Sequence, residues 1–207
     1  MDLKNVIFDV GGVLIDLHPD RSIAAFGEIG CRQIKQYIEQ HRTEDLFLDI
    51  ELGRISTHEF CDEVRRICSS DMDDEDIVGA WCRMIGHFDN AKRKMLDGLR
   101  RDGLRLFMLS NTNEMHWECC MREFADPHSG CATDCMDGVF LSHEMHLAKP
   151  DPEIFREVLR QTGICPSQTL FIDDSLDNCR AAGSLGIHTL HATPDTDWTV
   201  TLKDYTR

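Results

Sequence analysis

Val6-Ile7-Phe8-Asp9-Val10-Gly11-Gly12 is a short apolar run that ends on an acid and two glycines. It reads as a buried strand running into a tight turn. Further runs of this kind come much later: Leu104 to Leu109 before Ser110-Asn111-Thr112-Asn113, Val139-Phe140-Leu141, and Thr169 to Ile172 before Asp173-Asp174. A fifth, Gly186 to Leu190, completes the set. Between them, helical spacing predicts helices over about 91–102, 113–125, 152–162 and 176–185, the third opened by Asp151 as N-cap and Pro152 at the first helical position. Strands alternating with helices predict an α/β fold, a Rossmann-like parallel sheet with helices on both faces.

Residues 18–89 break that rhythm. Ile34, Tyr37 and Ile38, then Leu46, Phe47 and Ile50, recur at helical spacing, and Ser56-Thr57-His58-Glu59 supplies a capping box before Phe60, Val64 and Ile67. No strand is expected in this stretch. It reads as a small all-helical cap inserted after the first strand, over a core formed by 1–17 and 90–207. Such a position lies above the carboxyl ends of the strands, where open α/β sheets bind ligands, so the insert reads as a lid. The acidic run Asp71 to Asp76 fits a solvated loop and a helix N-terminus, whose dipole favours negative charge.

The chain has 207 residues, 42 % of them hydrophobic and 29 % charged, enough for one large domain or a domain with an insert. Its net charge of −15, with no basic run, disfavours nucleic-acid binding. A small anionic substrate remains compatible with it if a metal, a lysine and backbone N–H groups share one cleft. The first residues lack the pattern of a signal peptide, and no stretch approaches the ~18 apolar residues of a membrane helix. A cytoplasmic protein without membrane contact is expected, and with it ten cysteines kept as reduced, small apolar residues.

Four places carry reactive side chains: Asp9, Ser110 with Asn111, Lys149, and Asp173 with Asp174. Taken singly, an acid after a strand is a turn former, Ser-Asn-Thr-Asn a helix cap and Lys-Pro a surface loop. Together they supply what phosphoryl transfer asks for: a carboxylate nucleophile, a divalent metal, donors to the equatorial oxygens and a cation. Asp9 is placed to attack phosphorus and form an aspartyl-phosphate. Magnesium would sit between Asp9 and the Asp173-Asp174 pair, whose carboxylates would repel one another without a cation. The Ser110 hydroxyl, the Asn111 backbone and the Lys149 ammonium would hold the other oxygens.

At this point the chain resembles the haloacid dehalogenase-like hydrolases. FDVGGVL (8–14) is similar to the first motif of that family, LSNTN (109–113) to the second, the Lys149 of HLAKPDPEIF to the third and FIDDSLDN (171–178) to the fourth, in the same order. The helical stretch resembles the family's small cap, with GRISTHEF (53–60) inside it. The likeness extends to the bacterial α-D-glucose-1-phosphate phosphatase branch. It implies a magnesium-dependent phosphatase acting on a small phosphomonoester, a sugar phosphate above all. By it, Asp9 is nucleophile and metal ligand, Lys149 is catalytic and binds phosphate with Ser110 and Asn111, and Asp174, Asp173 and the Gly11 carbonyl complete the metal site.

One position departs from the family pattern. Most of its phosphatases carry a second Asp two residues after the nucleophile as general acid and base, and here that residue is Gly11. Either a good leaving group needs less help, or another group such as Asp16, His18 or a cap side chain substitutes, or the protein is a weak or inactive homologue acting as a binding or regulatory module. A 2-haloacid dehalogenase also lacks that Asp, but needs no metal and has no use for Asp173-Asp174. The segment holding His116, Cys119, Cys120, His128, Cys131, Cys135, His143 and His146 offers zinc-like ligands in no known spacing, and reads as core thiols and surface imidazoles. In the cap, Arg21, Arg42, Arg54, His58, Trp81 and His87 are left unranked as substrate contacts. Substrate identity and oligomeric state stay open.

Overall fold

The computed structural model describes residues 2–40, 46–127, 130–193, 195 and 197–205, with side chains through residue 36 in the first span. Arg42 and His128 lie outside the described residues, as do the side chains of Tyr37 and Ile38.

The first apolar run forms β1 (Asn5–Phe8), the central strand of a five-stranded parallel sheet. A short ribbon strand β2 (Ile15–Leu17) follows, and then five helices: α1 (Pro19–Glu28), α2 (Gln33–Gln40), α3 (Leu46–Glu51), α4 (Thr57–Cys68) and α5 (Asp74–Cys82). The chain returns through β3 (Ile85–Phe88), α6 (Asn90–Arg101), β4 (Arg105–Ser110), α7 (Glu114–Phe124) and a minor hairpin of β5 (Ala125–Asp126) and β6 (Gly130–Cys131). The rest alternates: β7 (Gly138–Leu141), α8 (Ser142–Met145), α9 (Pro152–Thr162), β8 (Thr169–Asp173), α10 (Leu176–Ser184), β9 (His188–His191) and α11 (Trp198–Tyr205). The sheet order is β7-β4-β1-β8-β9, so the expected parallel α/β sheet is present and each of its five apolar runs is a strand.

Successive strand residues face opposite layers. Val6, Phe8, Leu106, Met108, Leu170 and Ile172 pack on one side with α6, α7 and α11, while Ile7, Phe107, Leu109 and Phe171 pack on the other with α9 and α10. Both faces are covered, which is why these runs are apolar throughout instead of alternating. β4 and β8 flank β1 in matched register, Phe8 opposite both Met108 and Ile172. The order of connections therefore reverses at β1, and Asp9, Ser110 and Asp173 end three adjacent strands at that switch point.

The insert has its own core, in which Phe26, Ile34, Phe60, Val64 and Ile77 are fully buried and Met115 of α7 joins from below. Its capping box is as expected: the Ser56 side chain accepts from the Glu59 N–H while Glu59 reaches back to the Ser56 N–H. Asp74, Glu75 and Asp76 occupy the first turn of α5. One expectation fails, because 18–89 does contain a strand. β3 pairs antiparallel with β2, forming the ribbon through which the chain enters and leaves the insert. Gly86 permits it, since a Cβ there would lie 2.5 Å from the Asp16 carbonyl oxygen. Four residues with a glycine and a histidine among them carry no apolar run from which a strand is legible.

A second expectation fails in the same region. Cys31 and Cys68 are joined as a disulfide inside the insert's core, with Cα atoms 5.0 Å apart, so not every cysteine is reduced. Of the ten cysteines, eight remain as thiols. Thiol titration of the denatured, unreduced protein should therefore count eight, and ten would remove the bridge.

A candidate active site at the strand ends

Asp9 is buried at the end of β1, and its Oδ1 accepts the Val10 N–H at 2.6 Å. The Lys149 ammonium, equally buried, lies 2.9 Å from Asp9 Oδ1 and 2.7 Å from Asp173 Oδ2, and donates to the Leu109 carbonyl at 3.0 Å. Lys149 thus bridges three neighbouring strands. The other Asp173 oxygen accepts the Ser175 N–H at 2.8 Å and the Asn178 amide at 2.9 Å, so Asp173 is held on both sides. Asp174 stands beside it, packed so close to Gly12 that a Cβ there would collide with its carboxylate. Gly12 is also at φ +75°, where a side chain would be strained.

Each residue of Ser110-Asn111-Thr112-Asn113 has a separate task. Ser110 is buried at the end of β4, beside the pocket described below. The Asn111 amide grips the main chain of Lys149 from both sides, donating to its carbonyl and accepting from its N–H, each at 2.8 Å. That leaves the Asn111 backbone N–H as the part of the residue suited to an anion. Thr112 N–H donates to the Ser142 hydroxyl at 2.9 Å, and Asn113 caps α7 by accepting from the His116 N–H at 3.0 Å.

Three carboxylates gather around one lysine here, and burial with charge repulsion shows in the acidities of Asp9 and Asp174. Burial and the neighbouring Asp173 push Asp9 up to about 8 against the pull of Lys149. Burial and Asp173 likewise raise Asp174. Lys149, despite its burial, is held above the ordinary lysine range by Asp9 and Asp173. One oxygen from each of Asp9, Asp173 and Asp174 lies within 4.8 Å of the others, the one such acidic, imidazole or thiol group among the described residues. A compact, oxygen-only set with surplus negative charge fits a hard divalent cation. The described Cys and His residues of 116–146 are not brought together in this way.

A pocket of about 130 Å³ opens beside this centre, between the sheet and the insert. Gly11, Ser110 and Asn111 line its lower wall, and Glu51, Trp81 and Met84 its upper one. The carboxylate of half-buried Glu51 has no hydrogen-bond or ion-pair partner among the described residues, and Trp81 Nε1 is a buried donor equally without one. His116 stacks on Trp81 with ring centroids 4.8 Å apart, and burial holds its imidazole down at about 4. Of Arg21, Arg54, His58, Trp81 and His87, the described cap residues weighed as substrate contacts, Trp81 alone lines this pocket. Arg54 pairs with Asp49, His58 with Asp74 and His87 with Glu123, while Arg21 lines a separate hollow with Arg83. Asp16 is exposed and pairs with Lys92 at 3.3 Å, and His18 occupies the N-cap of α1 without a side-chain bond.

Asp9, Lys149 and Asp173 meet beneath a helical insert at the switch point of a doubly wound α/β core. A family model for haloacid dehalogenase-like hydrolases matches residues 3–186, and the chain belongs to that family. It is 30 % identical over 198 residues to a D-ribitol-5-phosphate phosphatase of Bacteroides thetaiotaomicron, with 95 % of each chain covered. A crystal structure of a HAD family enzyme from Bacteroides thetaiotaomicron superposes with a TM-score of 0.92 at 35 % identity, covering 98 % of this chain and 99 % of that one. A wild-type complex of such an enzyme from that organism with magnesium and inorganic phosphate superposes with a TM-score of 0.88 at 36 % identity, covering 96 % and 98 %.

Proposed function

We propose that the protein is a magnesium-dependent phosphatase that hydrolyses a small sugar or polyol phosphate through an aspartyl-phosphate. The observation that carries this reading is the buried Asp9–Lys149–Asp173 group opening onto a pocket whose wall includes Ser110 and Asn111. In it, Asp9 Oδ attacks phosphorus, the leaving alcohol departs into the pocket, and water then releases phosphate and restores Asp9. Lys149 bridges nucleophile and phosphate, and the Ser110 hydroxyl and Asn111 N–H bind the remaining oxygens. Asp9, Asp174, the Gly11 carbonyl and Asp173 would hold magnesium, Asp173 directly or through water, and the ion would supply charge neutralisation at the phosphate.

Residues 18–89 act as the cap over a core of 1–17 and 90–207, and substrate identity resides in the face that the cap turns to the pocket. Trp81 Nε1 and the Glu51 carboxylate, both without a hydrogen-bond partner among the described residues, suit a leaving group with hydroxyls, as in the relative named for D-ribitol 5-phosphate. For a substrate of this kind we propose a cytoplasmic protein; no described helix is long and apolar enough to cross a membrane. A dehalogenase reading leaves Asp173 and Asp174 without a purpose beside a carboxylate substrate.

The test is phosphate release from ribitol 5-phosphate, ribose 5-phosphate, glucose 6-phosphate and glucose 1-phosphate, with magnesium and with EDTA. Release that EDTA reduces by at least about 10²-fold supports the reading. Turnover of 2-haloacids that survives EDTA would replace it with dehalogenation.

A further inference from the structure

We propose that Glu51 is the proton donor and acceptor of this active site, standing in for the carboxylate that Gly11 lacks. The inference rests on the phosphatase reading above and assigns one of its steps to a residue of the insert. Glu51 lines the same pocket as Gly11, Ser110 and Asn111, the pocket into which the leaving alcohol departs on the phosphatase reading. Among the described residues its carboxylate has no hydrogen-bond or ion-pair partner, which suits it to meet a substrate oxygen or a water.

The main chain around Glu51 is fixed to the core. The Ser142 hydroxyl, which accepts from Thr112, donates to the Glu51 carbonyl at 2.6 Å, and His146 Nδ1 donates to the Leu52 carbonyl at 2.8 Å. Gly53, at φ +61°, lies so close to the His143 carbonyl that a Cβ would collide with it. The end of α3 is therefore docked on α8, and Glu51 keeps its place over the Ser110 loop.

The other candidates are less suited. Asp16 faces solvent and Lys92. Both ring nitrogens of His116 are engaged, with Trp81 O at 3.2 Å and the Asn113 amide at 3.4 Å. Burial pushes the Cys120 thiol up to about 12. Glu51 itself is raised by burial to about 7, with Lys149 pulling it down, so both protonation states exist at neutral pH. The ionisable groups around it are Lys149 from the core loop, His116 and Cys120 from α7, and His143 and His146 from α8 and the turn after it. Arg54, just beyond α3, is paired with Asp49.

In the first step Asp9 forms a bond to phosphorus, the bond from phosphorus to the leaving oxygen breaks, and the Glu51 acid gives its proton to that alkoxide. In the second, water attacks phosphorus, the Glu51 carboxylate takes its proton, and the bond to Asp9 breaks. Alcohol and inorganic phosphate have formed, and both carboxyl groups are restored.

Glu51→Gln and Glu51→Asp are compared with wild type on the best sugar phosphate of the panel and on p-nitrophenyl phosphate, whose leaving group needs no proton. The ratio of the two kcat/KM values cancels any loss of folded enzyme. We expect Glu51→Gln to lower that ratio by about 10²–10⁴-fold and Glu51→Asp to keep it within about tenfold. In the Gln variant, p-nitrophenyl phosphate should give a burst of one nitrophenolate per active site before slow turnover. The fall of sugar-phosphate kcat/KM above about pH 7 should also disappear. A ratio unchanged in the Gln variant, or a rise in KM alone, overturns the proposal. A wild type silent on every phosphate ester overturns the phosphatase reading itself, a different failure.

Discussion

Asp9→Asn should abolish phosphate release by at least about 10⁴-fold, since the amide removes the atom that bonds to phosphorus and no neighbouring side chain replaces it. The same variant should be more stable than wild type in EDTA. Asp9 binds its proton more tightly in the fold, at about 8, than in the unfolded chain, at the ordinary 3.8. Its ionisation therefore opposes folding, and that cost grows as pH rises from about 4 to about 8. An asparagine has no such charge to bury, so the melting temperature in EDTA should rise and its decline over that pH range should flatten. Magnesium should stabilise wild type more than the variant. Retained turnover in a preparation free of other phosphatases would show that Asp9 is not the nucleophile.

Lys149→Met should act in the opposite direction on stability. It leaves Asp9, Asp173 and the Leu109 carbonyl without their shared donor at a site where the lysine side chain is 1 % exposed. Breaking a buried ion pair from one side costs roughly 3–5 kcal/mol. For a chain of this size that is a fall of about 6–20 °C in melting temperature. Activity should drop by about 10³-fold, as the bridge between nucleophile and phosphate is lost. Magnesium should recover part of the stability by neutralising the carboxylates, yet leave the activity low. A variant that melts with wild type would mean that the lysine is not the charge on which the acidic group depends.

The legible parts of this molecule are those whose physics is local or repeated. β1, β4, β7 and β8 show in the sequence because strands covered on both faces carry apolar runs, β9 shows more faintly through Ile187 and Leu190, and α9 shows because Asp151, Pro152 and its spacing agree. Asp9, Ser110, Asn111, Asp173 and Asp174 stand out by their placement after apolar runs and Lys149 by its loop before α9, and the switch point at β1 brings them to one end of the sheet. The ribbon escaped notice because three or four residues with a glycine carry no periodicity. The Cys31–Cys68 bridge is a property of how α1, α2 and α4 pack, and no spacing encodes it. Glu51 looks like one more polar residue of an amphipathic helix. Only the docking of α3 on Ser142 and His146, 91 and 94 residues away, turns it toward the pocket.

The paired strands β2 and β3 have a mechanical consequence. Two separate linkers would let the inserted helices roll about either thread, whereas two strands stitched by hydrogen bonds resist twisting and sliding and yield most readily to bending across their flat face. The helices are held on the core by this two-stranded ribbon and by a second attachment where the Ser142 hydroxyl meets the Glu51 carbonyl. Side chains that face the pocket can then be exchanged without disturbing either attachment, because both are made by the main chain of the insert.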